Sequence, residues 1–359
     1  MTENYSLWDR LAAHDKPIVI YGTGNGADKI FDALEKYGVK PDAVFASDGF
    51  VRERTFRGYP VRSYSDVVSE YGDDIIILLA FGTTLPDVTA FIGELDVRHE
   101  LIIPEVPLYG GELFDMIYYR SHSEIIEKAA SVLSDEVSAK LFEDAVNFRL
   151  TGKLCYLHET EATEETLTSL FGKGKIKTVI DGGAFKGDST ALFAEYLAPE
   201  KIYAVEADGR TYKKLCEYAE SESRTKVIPV NAMLSNECGI AEYISSQSRG
   251  SGENGRNRRA KVVVVEKKTI DGLIGDEKVD LIKLDVEGDE KAALDGALSV
   301  ISRDKPSLAV SLYHRTDDLF GLILYVHALL PEHRLYLKRV PCIPMWDLML
   351  YAVKQEKPD

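Results

Sequence analysis

One stretch of this 359-residue chain restricts its fold more than any other: Thr178-Val179-Ile180-Asp181-Gly182-Gly183-Ala184-Phe185-Lys186-Gly187-Asp188-Ser189. An apolar run ends in a carboxylate, two glycines turn the backbone, and Gly187 leads into helix-forming sequence. Glycine accepts turn conformations closed to other residues and lets the backbone come close to a ligand. A strand passing through such a turn into a helix opens a doubly wound α/β sheet, whose ligands bind beyond the carboxyl ends of the strands. Apolar runs predict strands at Thr178–Ile180, Ile202–Val205, Val227–Val230, Leu281–Leu284 and Ser307–Leu312. Arg334–Val340 and Asp347–Val353, around Pro341 and Pro344, predict an antiparallel hairpin.

A second α/β pattern precedes this one. Pro17–Tyr21 reads as a buried strand running into Gly22-Thr23-Gly24-Asn25-Gly26-Ala27, then a helix with Ile30, Phe31 and Leu34 on one face. Gly38 and Pro41 stop that helix, and Ala43–Ala46 is a second strand ending at Ser47-Asp48. Ile75–Ala80 is apolar at every position, as a parallel strand covered on both faces must be. Between the two patterns, Ser121-His122-Ser123-Glu124 fits a capping box. Val137, Leu141, Phe142, Ala145 and Val146 then recur at helical spacing. The expected organisation is two doubly wound Rossmann-like domains: an accessory domain over 1–120, a helical connector over 121–170 and a second domain over 171–359.

Net charge is −16, which opposes binding to nucleic acid over most of the surface. No apolar run reaches the roughly 20 residues of a membrane span. The polar start, MTENYSLWDR, lacks a signal-peptide pattern, so the expectation is a cytoplasmic protein. Cys155, Cys216, Cys238 and Cys342 are scattered without metal spacing and predict neither a disulfide framework nor a zinc site.

The charges of the central turn narrow the ligand. Asp181 and Asp188 would repel a pyrophosphate but suit a ligand with a cationic end, and S-adenosylmethionine presents an ammonium and a sulfonium. Gly182, Gly183 and Gly187 supply the turn. Glu206, with Ala207 after it, ends the next strand, where an acid can accept both ribose hydroxyls of a nucleoside. Asn231, after the third strand, can meet an adenine edge. In the first domain, Gly22 and Gly24 with Asp48 fit a short nucleotide-binding fingerprint.

The second half resembles the FkbM family of methyltransferases, over roughly residues 135 to 353. The matching segments are Ile180-Asp181-Gly182-Gly183, Val205-Glu206-Ala207-Asp208, Thr269-Ile270-Asp271 and Leu281-Ile282-Lys283-Leu284-Asp285-Val286-Glu287-Gly288-Asp289-Glu290, followed by Gly296-Ala297. Phe148-Arg149-Leu150-Thr151-Gly152 resembles a lead-in seen in bacterial members. The resemblance implies a class I methyltransferase fold closed by the hairpin, and O-methylation of a hydroxyl on a sugar or natural-product scaffold. The first domain resembles Rossmann-like modules of nucleotide-sugar-modifying proteins, partly through Phe56-Arg57-Gly58-Tyr59-Pro60-Val61.

Methyl transfer to a hydroxyl needs an aligned acceptor and a place for its proton. Lys283, Asp285 and Glu287 alternate along the fourth strand and its exit, so period two points them to one face. Asp285 or Glu287 can serve as base, with Lys283 pairing one of them. Asp285 with Glu287 or Asp289 can also hold a divalent cation. The competing reading is that Lys283 forms a buried ion pair and Glu290 merely begins a helix. His314, at a strand exit and titrating near neutrality, is an alternative base, and the family pattern places a His nearby. Tyr313 and Arg249 are candidate contacts to a small-molecule or glycan acceptor. Arg249 lies with Arg256, Arg258 and Arg259 in a Ser/Gly-rich loop that could close over a phosphate. Homo-oligomerisation stays open. Two other readings compete: an NAD-dependent oxidoreductase using the first domain, and a non-catalytic nucleotide-binding assembly protein.

Overall fold

Ile18–Tyr21 (β1) and Ile76–Leu79 (β5) are buried at every position and pair in parallel, Ile18 opposite Ile76. Such a pairing demands cover on both faces, and the chain supplies it by alternating strands with helices. The structure is a computed structural model that describes residues 3–47, 51, 55–107, 109–158, 163–245 and 261–354. The chain divides into two compact units.

The first unit comprises Met1–Glu127, Lys140–Glu159 and Pro341–Asp347. Its other strands are Ala43–Phe45 (β2), Thr55–Phe56 (β3), Tyr59–Arg62 (β4) and Glu100–Ile102 (β6). They form one sheet in the order β3-β4-β2-β1-β5-β6, antiparallel only between β3 and β4. Trp8, Ile20, Ile30, Leu34, Val44 and Leu78 belong to its core. Thr83 and Ile343 exchange both backbone hydrogen bonds, 2.7 and 3.0 Å, which binds the segment 341–347 to this unit.

The second unit comprises Lys128–Ala139, Thr160–Val340 and Leu348–Asp359. Its strands are Thr178–Gly182 (β7), Lys201–Val205 (β8), Lys226–Val230 (β9), Met233–Leu234 (β10), Gly239–Ser245 (β11), Lys261–Lys268 (β12), Leu281–Leu284 (β13), Ser307–Ser311 (β14), His333–Arg339 (β15) and Leu348–Lys354 (β16). Seven make one sheet in the order β15-β16-β14-β13-β7-β8-β9, parallel from β9 to β14 and finished by the antiparallel β15–β16 hairpin. β7, β13 and β14 are buried throughout, whereas β15 alternates buried and more open residues, as a half-covered strand does. β10, β12 and β11 form a separate small sheet.

Three local expectations need correction. Ser121-His122-Ser123-Glu124 caps nothing: it lies inside the helix Met116–Ser131, where Ser121 Oγ donates back to the Tyr118 carbonyl at 2.9 Å. A Ser inside a helix makes such back-bonds as readily as it caps, and spacing alone does not separate the two. Val137 is exposed, while Leu141, Phe142, Ala145 and Val146 are buried as expected. Asp181 and Gly182 are the last residues of β7 rather than the turn. The stretch 121–170 is shared: its long helices, Met116–Ser131 and Glu136–Thr151, each contribute to both units.

Candidate functional site

The order of the large sheet reverses between β7 and β13, with β8 and β9 on one side and β14 on the other. Ligands of doubly wound sheets bind at such a switch point, outside the carboxyl ends of the strands. There β7 ends in Asp181-Gly182, and β13 delivers Lys283-Leu284 to Asp285. Lys283 pairs with Asp181, not with Asp285 or Glu287 as its spacing suggested: Nζ lies 3.2 Å from Asp181 Oδ1 and donates to the Gly182 and Gly183 carbonyls at 3.2 and 2.9 Å. The reason is register, because Lys283 sits directly opposite Asp181 in the parallel ladder. Burial disfavours the Lys283 charge, but Asp181, Asp285 and Glu206 outweigh it and hold the pKa above the usual lysine value. Asp181 is fully buried and also accepts from the Ser189 and Thr190 hydroxyls, at 2.6 to 2.9 Å. Its oxygens are therefore committed within the protein rather than offered to a ligand's cationic end.

Two loops carry the titratable groups. One runs from Asp285 to Asp289 after β13, and the other from Leu312 to Asp317 after β14. Arg315 Nε donates to the Gly288 carbonyl at 2.6 Å and laces them together. Glu290 is wholly buried, and its Oε1 accepts from Val286 N at 2.8 Å and Gly288 N at 3.4 Å. The same oxygen lies 2.8 Å from His314 Nδ1. On its other side His314 Nε2 faces Asp285 Oδ1 and Glu287 Oε2, each at 3.5 Å. Asp285 Oδ1 also accepts from Ser311 Oγ at 2.8 Å and Tyr313 OH at 2.7 Å. The side chains of Asp285 and Glu287 are 31% and 38% exposed, so both reach solvent while His314 does not.

The electrostatics follow from that crowding. Burial disfavours the His314 cation, yet Glu290, Asp285 and Glu287 together push its pKa up to about 10. The imidazole is thus protonated at neutral pH, which corrects the expectation of a base titrating near neutrality. Burial also opposes ionisation of Asp285, but the Lys283 and His314 charges with the Tyr313 and Ser311 hydroxyls hold its carboxyl below the usual range. Asp318, buried nearby, is pushed up to about 7 by burial and by Glu290.

Glu206 closes β8 with its carboxylate held by Asp208 N at 2.7 Å and Phe185 N at 3.0 Å. Burial, assisted by the Asp208 charge, raises its pKa to about 7 despite those donors. Asn231 is exposed, and its amide nitrogen is spent on the Glu206 and Ala207 carbonyls at 2.8 and 3.2 Å. Asp188 is exposed at the start of the helix Asp188–Leu192. Gly183 has a left-handed φ of 72°, and a Cβ there would lie 1.8 Å from the Asp285 carbonyl oxygen. A Cβ at Gly187 would strike the Tyr218 ring, and one at Gly182 would press on Leu234 and Leu284. These glycines are required by the protein's own packing. Other motif residues are structural too: Asp271 accepts from Ser299 N and Val300 N at 3.0 and 2.9 Å, and Gly296 leaves room for the Ser235 carbonyl.

In the first unit Gly22 has φ 122° and Gly24 has open space around it, while a Cβ at Gly26 would press on the Ala80 carbonyl. Asp48 lies outside the described residues, as do Arg249, Arg256, Arg258 and Arg259. Sequence reasoning missed Glu290, Ser311 and Asp318 as partners of the site. The signal for Glu290 was available in principle: an acid at the first helical position, after a Gly-containing turn, can accept the turn's own N–H groups. Its contact with a histidine 24 positions later was not legible.

Residues 181–340 match the family model described as the Methyltransferase FkbM domain. A search of curated proteins found no match. Among solved structures, the methyltransferase FkbM from Methylobacillus flagellatus KT is similar at 21% identity and a TM-score of 0.68, over 94% of this chain and 90% of that one. An rRNA methylase from Streptococcus thermophilus matches at 13% identity and a TM-score of 0.35, over 54% of this chain and 95% of its own. A precorrin-6y C5,15-methyltransferase from Geobacter metallireducens GS-15 matches at 10% identity and a TM-score of 0.37, over 55% and 91%. Residues 181–340 thus match the FkbM methyltransferase domain, and the chain shares its fold with a solved FkbM methyltransferase.

Proposed function

We propose that the second unit is an S-adenosylmethionine-dependent O-methyltransferase acting on a hydroxyl of a carbohydrate, a nucleotide-sugar or a related natural product. The observation that carries this reading is Asp285: an ionised, solvent-reaching carboxylate at the switch point of a parallel sheet, fixed by Ser311, Tyr313 and His314. Glu206, at the end of β8, is the acid suited to a nucleoside diol, and Asn231 and Ala207 border it. When bound, S-adenosylmethionine supplies an electrophilic methyl group.

The work left to the chain is orientation and proton management. Asp285 accepts a hydrogen bond from the acceptor hydroxyl, aligns its oxygen and takes its proton as the methyl group is transferred, with Glu287 as the second solvent-reaching carboxylate beside it. His314, held as a cation, is not the proton acceptor. It fixes the two carboxylates, and Glu290 fixes it. Tyr313 borders the same carboxylate and would contact the acceptor. Lys283 and Asp181 act beneath the site, pinning β7 to β13.

Calorimetric titration with S-adenosylhomocysteine and, separately, with NAD tests the cofactor. Binding of the first alone is expected, and binding of NAD alone would move the active site to the first unit and overturn the proposal. Transfer of labelled methyl groups to a panel of sugars and nucleotide-sugars then tests the acceptor. An alkali-stable ether product is expected, and labelling only of amines or carboxyl groups would remove the hydroxyl.

A further inference from the structure

The connection between β15 and β16 has an unusual sequence for a turn. The strands pair as far as Arg339 opposite Leu348, which leaves eight residues between them. A hairpin connection usually takes roughly two to five residues. This one reads Val340-Pro341-Cys342-Ile343-Pro344-Met345-Trp346-Asp347, apolar almost throughout. Apolar side chains favour removal from water, and the segment finds its cover in the first unit, with Cys342, Ile343 and Met345 buried. Thr83 and Ile343 bond through their backbones in both directions. A Cβ at Gly82 would come within 2.1 Å of the Trp346 indole, so the ring takes space that only a glycine there leaves. Gly82 and Thr83 follow β5, beyond the strand ends where the sheet order of the first unit reverses.

A second observation lies at the other end of the segment. Asp347 has a left-handed φ of 62°. A residue other than glycine keeps that conformation only where its surroundings fix it, so the chain enters β16 in a set direction. The Leu348 carbonyl then accepts from Leu312 N at 3.0 Å. Met349 lies opposite Ser311 in the ladder, with Sδ 3.2 Å from Ser311 Oγ. Ser311 and Tyr313 are the hydroxyl donors to Asp285, and His314 is next in the chain. The start of β16 therefore backs the segment that fixes the candidate catalytic carboxylate.

We propose that Pro341–Asp347 is a strap through which the first unit positions Ser311, Tyr313 and His314, with Trp346 as its positioning residue. The link runs along the chain and then through the pairing of β16 with β14. Densely packed segments yield little and pass a displacement on to their neighbours. Loosening Trp346 frees the start of β16, and Ser311 and Leu312 move with it. Asp285 then loses the alignment of its donors. This inference rests on the methyl-transfer reading only for its consequence in turnover. It gives the first unit a part in the reaction at the second unit's site.

The probe is the His314 imidazole, followed by nuclear magnetic resonance of the full-length protein carrying isotope-labelled histidine, its signals assigned by their loss in His314→Gln. Trp346→Ala and Gly82→Ala, the latter a change confined to the first unit, should each move the His314 signals. Those of His333, at the far end of β15, should stay in place. Trp346→Phe should lie nearer to wild type than Trp346→Ala. Gly82→Ala combined with Trp346→Ala should shift His314 no further than Trp346→Ala alone, because the atoms the added methyl group meets are gone. On the panel of sugars and nucleotide-sugars, Trp346→Ala should lower kcat by on the order of 10- to 100-fold with KM little changed, since it misplaces Asp285 rather than removing a contact. Circular dichroism checks folding, and Trp346→Leu takes the place of Trp346→Ala if that variant does not fold. Folded variants with His314 signals unmoved overturn the strap, whatever their loss of stability. Equal movement at His333 marks a general loosening and overturns it as well. His314 signals that move in protein binding no S-adenosylhomocysteine leave the strap standing and remove the methyl-transfer reading.

Discussion

The two units place a parallel sheet, a switch point and a glycine-containing turn in the same relation, yet they fill that place with different chemistry. In the first unit the order reverses between β1 and β5. Beyond those strand ends a Cβ at Gly26 would press on the Ala80 carbonyl, and one at Gly82 would come within 2.1 Å of the Trp346 indole. In the second unit the same topological position carries Asp181, Lys283, Asp285 and, across from them, His314 and Glu290. A shared topology thus offers a location, and only the side chains that arrive there decide what it does.

The largest expected effect lies beneath the second switch point. Asp181→Ala leaves Lys283 buried without its partner, which should cost ~3–5 kcal/mol of stability, read from urea denaturation. Restoring the balance with Asp181→Ala plus Lys283→Met should recover much of that loss. If the single variant is as stable as wild type, the pair is not what joins β7 to β13.

Next comes Glu206, whose pKa is raised from 4.5 to about 7 in the folded protein. The folded state therefore holds a proton that the unfolded state releases. The associated stability is fully present below pH 4.5 and is lost as pH rises through 7, a change of about 3 kcal/mol. Glu206→Gln should flatten that part of the stability–pH curve. It should also weaken S-adenosylhomocysteine binding, and remove a rise in wild-type affinity between about pH 6 and 8 as the carboxylate ionises. An unchanged curve in the variant would separate Glu206 from the nucleoside.

The smallest effects test the first unit. A Cβ at Gly26 would sit 2.5 Å from the Ala80 carbonyl oxygen, so Gly26→Ala should lower stability by about 1–3 kcal/mol. Gly24 has nothing within 4 Å, and Gly24→Ala should change stability by about 1 kcal/mol or less. Neither should alter S-adenosylhomocysteine affinity. A loss of that affinity in Gly24→Ala would break the distinction drawn between the two switch points.

Much of this was legible in the chain itself. Apolar runs fixed the strands β1, β2, β5, β7, β8, β9, β13 and β14 to within a residue or two, because most of them are buried on both faces and such a strand has little compositional freedom. The hairpin β15–β16 showed through the prolines between its two strands. Asp285 and His314 stood out because a polar residue at the exit of an apolar run is conspicuous. What the sequence withheld was pairing. Lys283 is two residues from Asp285 but meets Asp181, because parallel register sets it opposite a residue 102 positions earlier. His314 titrates as a cation because Glu290, Asp285 and Glu287 converge on it from another loop. Local spacing determines which face a side chain takes. Charge state and partner depend on distances between segments remote in the chain, and only the tertiary structure sets those.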